Sequence, residues 1–300
     1  MNKIKAALVG YGNVGKAVFD AAKASPDVEI THIIVAKEKY SRVPGELNEL
    51  IKCDDVEKTD GIDVVFLCAP TRSVPELAKK YLSKGIYTVD SFDIHTSIWD
   101  LKKELEPIAK ANNCGSVISA GWDPGSDSVI RTLLEAMAPS GITYTNFGPG
   151  MSMGHTVAVK AIPGVKNALS MTIPLGTGIH RRMVYIEILD GYNFDDIEKA
   201  IKSDAYFVKD ETHVILVDDV NNVIDVGHGV NMTRKGVSGL THNQIFEFNM
   251  KINNPALTAQ VLVSSSRAIL KQQPGIYTMP EIPPIDYLYG DKETLIKRLV

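Results

Sequence analysis

Lys3-Ile4-Lys5-Ala6-Ala7-Leu8-Val9-Gly10-Tyr11-Gly12-Asn13-Val14-Gly15 is the stretch that decides the fold. Its first half is a short apolar run that reads as a strand. Its second half is G-x-G-x-x-G, opening a helix to about Ala24. The glycine motif acquires meaning from that setting, after a strand and before a helix. Gly10 permits the tight turn, Gly12 leaves room for a pyrophosphate, and Gly15 lets helix and strand pack closely. The first N–H groups of the helix have no partners inside it and can hold an anion. A dinucleotide site is expected here.

Outward from that stretch, strand and helix alternate. Strands are predicted at Lys3–Val9, Glu29–Val35, Val64–Leu67, Tyr87–Val89 and Ser116–Ser119, mostly short apolar runs suited to burial on both faces. Ser73-Val74-Pro75-Glu76 has the form of a capping box, starting a helix to about Ser83, and Thr96 or Ser97 starts another through Trp99, Leu101, Leu105 and Ile108. The alternation predicts an α/β protein with an N-terminal Rossmann-type doubly wound parallel sheet over residues 1–120.

From about Phe147 the pattern changes. Leu169–Ile173, Met183–Leu189, Val214–Val217 and Gln244–Ile252 read as longer strands and Asp195–Ile201 as a short helix, which together suggest one open sheet with helices on one side. A second α+β domain over 121–254 is expected to carry substrate contacts and is a candidate for a dimer interface. Asn254-Pro255, with Asn as N-cap and Pro at the first helical position, starts a helix to about Lys271. Residues 255–300 are expected to pack back on the first domain.

Composition narrows the class. The chain has 300 residues, is 44% hydrophobic and 23% charged, and carries a formal net charge of −4. That balance speaks against a nucleic-acid surface. Its apolar runs are too short to span a bilayer, and the N-terminal residues run straight into the strand without the pattern of a signal peptide, so a cytoplasmic protein is expected. Cys53, Cys68 and Cys114 are scattered, with no C-x-x-C or H-E-x-x-H, so neither a disulfide framework nor a metal site is expected.

The ribose end bears on cofactor choice. An NAD-binding unit carries Asp or Glu at the end of its second strand. Here Val35-Ala36-Lys37-Glu38-Lys39 stands there, with Arg42 beyond. Positive charge without a strand-end acid favours NADP over NAD, unless a longer strand brings Glu38 to the ribose.

Ligands of an open parallel sheet bind beyond the carboxyl ends of its strands. Asp90-Ser91-Phe92-Asp93 and Ala120-Gly121-Trp122-Asp123-Pro124-Gly125 occupy two such ends. Asp93 and Asp123 could there hold an ammonium or take a proton, although Asp before Pro-Gly also suits a plain turn. Phe147-Gly148-Pro149-Gly150-Met151-Ser152-Met153-Gly154-His155 is a second glycine-rich loop, able either to aim N–H groups at a carboxylate or to serve as a crossing between domains. In His180-Arg181-Arg182, which begins a strand, one arginine can face a pocket and fork onto a carboxylate, although a solvated strand face explains the pair as well. Thr172 on the neighbouring strand could add a hydroxyl. Gly227-His228-Gly229 reads either as a pocket-lining loop or, as a lone histidine more often does, as a structural position.

Taken together, the glycine fingerprint, Thr88-Val89-Asp90-Ser91-Phe92-Asp93, Gly121-Trp122-Asp123-Pro124-Gly125, Phe147-Gly148-Pro149-Gly150, Gly154-His155, Ala161-Ile162-Pro163-Gly164-Val165, and Asn254-Pro255 with Thr258-Ala259 closely resemble the meso-diaminopimelate dehydrogenase family over essentially the whole chain. The resemblance implies an NADP-dependent amino-acid dehydrogenase, a homodimer that reversibly deaminates the D-centre of meso-2,6-diaminopimelate. It implies that Asp93 and Asp123 bind the reacting end, and that Trp122, Phe147, Met153 and Gly154 line its pocket. Thr172, Arg182 and His228 would hold substrate carboxylate, and Asn254 would contact the distal L-centre. Cofactor contacts are implied at Gly10, Tyr11, Gly12, Asn13 and Val14; at Val35, Ala36 and Lys37; at Cys68, Ala69, Pro70 and Thr71; at Ser91, Phe92 and Asp93; and at Ala120, Gly121, Trp122, Asp123 and Pro124. Ala36 and Lys37 stand where relatives often carry arginines for the 2′-phosphate. The rivals are a homoserine- or dihydrodipicolinate-type oxidoreductase, which should lack the Trp-Asp-Pro-Gly and Phe-Gly-Pro-Gly pairing, and a dinucleotide sensor, which has little need for two strand-end aspartates.

Overall fold

The computed structural model describes residues 3–224 and 227–300, with the side chain of Arg42 excepted. In chain order the elements are β1 (Ile4–Val9), α1 (Asn13–Lys23), β2 (Val28–Ile34), β3 (Ile51–Cys53), β4 (Val64–Leu67), α2 (Val74–Ser83), β5 (Tyr87–Asp90), α3 (Ile98–Ala111), β6 (Gly115–Val117), α4 (Ser126–Met137), β7 (Ser140–Phe147), β8 (Gly150–Met151), α5 (Met153–Lys160), β9 (Val165–Gly176), β10 (Ile179–Ile188), α6 (Phe194–Ser203), β11 (Glu211–Leu216), β12 (Gly227–Ser238), β13 (Thr241–Asn253), α7 (Asn254–Ile269), β14 (Gly275–Tyr277) and α8 (Lys292–Leu299).

Two compact units result: Met1–Ile130 with Pro255–Val300, and Arg131–Asn254. The division falls inside α4, ten residues past the expected 120/121 boundary. The reason is local. Ala120 N–H donates to the Asp90 carbonyl at 2.7 Å, and the Gly121–Gly125 turn closes on itself through Gly121 N–H to Pro124 O at 3.0 Å, so this segment stays with the parallel sheet.

The first unit is built on a seven-stranded sheet in the order β14-β6-β5-β4-β1-β2-β3, with every pairing parallel. The strand order reverses between β1 and β4, which is the switch point where such sheets bind ligands. Val64 to Leu67 are wholly buried, as a central parallel strand requires. Apolar clusters cover both faces, one through Leu8, Val18, Phe66, Leu262 and Ile269, the other through Val65, Tyr81, Leu82, Leu105 and Ile118. The C-terminal segment is tied in by β14 beside β6 and by Arg267, which forks onto Asp27 with Nε–Oδ2 at 2.6 Å and Nη2–Oδ1 at 2.7 Å. Such a bidentate pair fixes direction as well as distance.

The second unit holds two small sheets, β11-β10-β9-β8 and β13-β12-β7, where one open sheet was expected. Its core gathers Val159, Val184, Ile186, Ile197, Ile201 and Phe207. Asn193 caps α6 by accepting from Asp195 N–H at 2.8 Å.

Three local expectations need correcting. Ser73 does not cap α2: it already has helical dihedrals (φ −92°, ψ −14°) at the end of a 3₁₀ turn, whereas a cap needs an extended backbone. Gly227-His228-Gly229 is no loop but the start of β12, paired with Ile252 and its neighbours on β13. The last long helix starts at Asn254 itself, and the Asn254 side-chain amide donates to the Met151 carbonyl at 3.3 Å.

Candidate functional site

The glycine fingerprint forms the turn it predicts. Gly10 has φ +88°, and a Cβ there would sit 2.5 Å from the Cys68 carbonyl oxygen. A Cβ on Gly15 would meet the Gly10 carbonyl at 2.2 Å, whereas one on Gly12 would meet nothing within 4 Å. Gly10 and Gly15 are therefore demanded by the chain's own packing. Gly12 is demanded by nothing among the described residues and borders open space there. The first turn of α1 carries no acidic residue and Gly12 offers no side-chain cap, so its N–H groups and the positive end of the helix dipole remain available to an anion. A dinucleotide pyrophosphate fits that cradle.

Beyond β1 the other strand ends form one continuous rim. Cys68 N–H donates to the Val9 carbonyl at 2.8 Å, which fixes the β4 end, with Ala69, Pro70 and Thr71, beside the fingerprint. Asp93 N–H donates to Thr71 Oγ1 at 3.2 Å, joining the β5 end, with Ser91 and Phe92, to that loop. A Cβ on Gly121 would lie 3.6 Å from the Ser91 Cβ, so the β6 end with Ala120, Trp122, Asp123 and Pro124 is the next neighbour. His95, in the turn after Asp93, places Nε2 3.9 Å from Asp123 Oδ2. Asp93 and Asp123 thus stand on adjacent strand ends. Asp93 Oδ1 is buried with no hydrogen-bond partner among the described residues. An unsatisfied buried carboxylate oxygen is costly and invites a cationic or N–H donor.

At the ribose end β2 stops at Ile34, and Lys37 to Arg42 wind into a 3₁₀ turn, so Glu38 is not carried to a strand end. Lys37 Nζ pairs with Asp54 Oδ2 at 3.3 Å, both side chains exposed. The Arg42 side chain lies outside the described residues. The Tyr11 hydroxyl donates to Glu46, a contact that sequence reading missed, and burial together with that carboxylate raises the phenol well above its usual range.

Asp90 was also missed. It is fully buried at the end of β5, and its Oδ1 accepts from Phe92 N–H at 2.9 Å and Ser119 N–H at 3.0 Å. Burial pushes its carboxyl up to about 6 in spite of those two donors.

In the second unit the predicted residues also converge. Thr172 and Arg182 are directly opposed on β9 and β10, and Arg182 Nη1 donates to Thr172 Oγ1. Its Nε donates to Asp210 Oδ2 at 2.6 Å; Nη2 meets no acceptor among the described residues. Arg181, on the other face of the strand, forks onto Glu211 at 2.9 and 3.1 Å. The expected division of the two arginines is therefore real, but Arg182 already has one resident carboxylate, which the sequence did not reveal.

The second glycine-rich loop packs against the same place. Gly148 N–H donates to the Gly229 carbonyl at 2.8 Å, so it is not aimed at a ligand. A Cβ on Gly148 would strike the Thr172 carbonyl at 2.2 Å, and one on Gly150 would strike the Gly227 carbonyl at 2.1 Å. These glycines bring Phe147, Thr172 and His228 close by letting backbones meet. Phe147 N–H donates to His180 Nε2 at 2.8 Å, with the two rings tilted 5.5 Å apart. His155, just after Met153 and Gly154 in α5, accepts from Ser152 Oγ at 2.7 Å and donates from Nε2 to the Tyr206 carbonyl at 3.0 Å. Burial, then the nearby Arg182 charge, lower its pKa to about 3, so the ring stays neutral and anchors the loop. His228 is buried, with Nδ1 accepting from Gly229 N–H at 2.7 Å.

Among the described residues no helix is long and apolar enough to cross a membrane, and no three His, Cys, Asp or Glu side chains gather as a metal site.

Comparison with known proteins bears on the fold and the family. Residues 121–254 match the diaminopimelic acid dehydrogenase C-terminal domain, and residues 5–93 match the semialdehyde dehydrogenase NAD-binding domain. A meso-diaminopimelate D-dehydrogenase of Bacteroides fragilis is 64% identical over 300 residues, covering 100% of both chains. A diaminopimelate dehydrogenase of C. glutamicum, solved in complex with diaminopimelate, superposes with a TM-score of 0.89 at 29% identity over 100% of both chains. An engineered D-amino acid dehydrogenase bound to NADP+ superposes at 0.88, with 27% identity and the same coverage. The chain belongs to the meso-diaminopimelate D-dehydrogenase family.

Proposed function

We propose that this chain catalyses the reversible oxidative deamination of the D-configured centre of meso-2,6-diaminopimelate. The reaction would consume NADP and water, and its products would be NADPH, ammonia and L-2-amino-6-oxopimelate, which cyclises to tetrahydrodipicolinate. The observation that carries this reading is the full-length likeness to a curated dehydrogenase of that substrate. The orphaned Asp93 oxygen, beside Asp123 at the strand ends, supports it.

When bound, NADP supplies the nicotinamide carbon that accepts the α-hydride. Gly10, Tyr11, Gly12, Asn13 and Val14 would cradle its pyrophosphate. Val35, Ala36 and Lys37 would meet its ribose end, and Cys68 to Thr71, Ser91 to Asp93 and Ala120 to Pro124 would line the remainder. Asp93 and Asp123 hold the reacting ammonium and orient the α-carbon, so placement is the protein's main contribution. Hydride loss leaves an imine on the substrate; water adds to it and ammonia departs, the protons passing to a carboxylate or to His228. Thr172, Arg182 and His228 hold substrate carboxylate, Trp122, Phe147, Met153 and Gly154 shape the pocket, and Asn254 contacts the distal L-centre. Anchoring both ends selects the stereocentre, because the wrong isomer leaves polar groups unpaired.

The chain acts in diaminopimelate and lysine metabolism in the cytoplasm as a homodimer. Ile142 and Ile245, more than half exposed on the β13-β12-β7 sheet, support a covered face there. Sedimentation at micromolar concentration reads the dimer directly. The reaction is tested by following reduced cofactor with meso- and L,L-diaminopimelate, each with NADP and with NAD. Rapid NADPH formation from the meso form alone is expected. Equal rates on both isomers would defeat the anchoring scheme, and no turnover despite cofactor binding would point to another substrate.

A further inference from the structure

We infer that Asp90 is a positioning residue that sets the spacing of the two loops bearing Asp93 and Asp123. The β5–β6 ladder ends at Val89 opposite Val117. Past that rung Ile118 N–H pairs on the other side of β6, with the Tyr277 carbonyl of β14. Asp90 then joins the end of β5 to the chain beyond β6 twice. Its main-chain carbonyl accepts from Ala120 N–H at 2.7 Å, and its side-chain Oδ1 accepts from Ser119 N–H at 3.0 Å. The same Oδ1 accepts from Phe92 N–H at 2.9 Å, one residue before Asp93. A single oxygen thus ties the chain just before Asp93 to the chain just before Ala120-Gly121-Trp122-Asp123.

The arrangement is not an incidental satisfaction of polar groups. Ser119 is a non-glycine residue held at φ +56°, a left-handed conformation that costs free energy and persists only where its surroundings hold it. Asp90 is 0% exposed, its second oxygen Oδ2 has no partner among the described residues, and Ser119 Oγ is likewise buried without one. Burying a carboxylate so poorly compensated costs stability. A residue kept only for stability would be better replaced by one that leaves no oxygen orphaned. What the carboxylate provides, and an apolar side chain cannot, is an acceptor reaching both loops from the rigid end of a buried strand. Displacement of reacting groups by about 1 Å can cost on the order of 100-fold in rate.

The inference rests on the reaction proposed above, and its test separates the two. Asp90→Asn keeps the Oδ1 acceptor; Asp90→Ala removes it. For Asp90→Ala we expect kcat with meso-diaminopimelate to fall roughly 10- to 100-fold and KM to rise. NADP affinity, measured by fluorescence titration, should fall by less than kcat does, because the pyrophosphate cradle is on other strands and only the loops at the nicotinamide end lose their tie. Asp90→Asn should stay within about threefold of the parent, since both N–H groups keep their partner. If Asp90→Ala does not fold, Asp90→Ser, whose hydroxyl is too short to span both loops, reads the same contrast. Amide hydrogen exchange at Phe92 and Ser119 supplies a readout independent of turnover: faster exchange in the Ala or Ser variant but not in Asn supports the bridge even if the substrate is another one. Undiminished kcat in a folded Ala variant, unchanged exchange, or an Asn variant as damaged as Ala would each overturn it. Absence of turnover in the parent chain would count against the proposed reaction, leaving the exchange data to decide on Asp90.

Discussion

Arg182 donates from Nη1 to the hydroxyl of Thr172, the residue directly opposite it across the β9–β10 ladder. With Asp210 on Nε at 2.6 Å, the guanidinium is held in one plane before any ligand arrives. That pre-orientation is what planar recognition of a carboxylate needs.

Arg182→Lys should therefore raise the KM for meso-diaminopimelate by roughly 10- to 100-fold, since the ammonium is a point charge without the fork. NADP binding should be unaltered. Steady-state kinetics with a parallel cofactor titration check this, and an unchanged KM would remove Arg182 from the substrate site.

Asp93→Ala and Asp123→Ala should each depress kcat by about 100-fold or more, the range of a lost positioned acid–base or charge contact. Cofactor affinity should fall far less than kcat, because the glycine cradle that holds the pyrophosphate is untouched. Full turnover in both variants would eliminate the strand-end pair as the reacting site.

The glycines of the fingerprint should separate by role. Gly15→Ala drives a Cβ to within 2.2 Å of a backbone oxygen and should cost about 1–3 kcal/mol of stability. Gly12→Val meets open space, so the melting temperature should hold while NADP affinity falls at least about tenfold through the blocked approach. Differential scanning fluorimetry with and without NADP distinguishes them; equal destabilisation by both would contradict the assignment.

Much of this was legible in the sequence because parallel central strands are continuous apolar runs and the glycine spacing has few other uses. β4 falls where it was expected, and β1 and β5 within a residue. What stayed hidden has physical reasons. β3 and β14 are three-residue edge strands with no periodicity to detect. β7 and the start of β12 are rich in Gly, Thr and Asn, which read as loop until a partner strand is present. Asp210 and Glu46 are distant in sequence from Arg182 and Tyr11, so only the folded chain shows them paired. Asp90 was in plain view, yet its burial and its two N–H donors depend on how β5 and β6 end.

Cofactor preference should respond to the Lys37–Asp54 pair. A 2′-phosphate must compete with Asp54 for that ammonium. Asp54→Asn is expected to shift the NADP-over-NAD ratio upward by about 3- to 10-fold, and Lys37→Ala to lower it, magnitudes typical of one exposed charge contact. Binding isotherms for both cofactors read the ratio; no movement in either variant would place the 2′-phosphate elsewhere.

His155 gives a signed dependence on pH. Its folded-state pKa is lowered to about 3 from 6.5, so the unfolded chain binds the extra proton between those values. Its contribution to stability is complete above pH 6.5 and is lost as pH falls toward 3. Because the ring is partly exposed, the effect should be on the order of 1–3 kcal/mol. His155→Gln should flatten the decline in melting temperature between pH 7 and 4 relative to the parent. Parallel curves would show that His155 does not titrate against folding. Asp90 acts with the opposite sign: its folded-state pKa is raised from 3.8 to about 6, so its contribution is present below 3.8 and is lost as pH rises to 6.

The most direct test is to supply meso-diaminopimelate carrying deuterium only at the D-configured α-carbon and to locate the label by mass spectrometry after turnover with NADP. The account predicts deuterium on the nicotinamide ring of the reduced cofactor and none in the released oxo acid. Unlabelled NADPH, with deuterium retained in the amino-acid product, would contradict it.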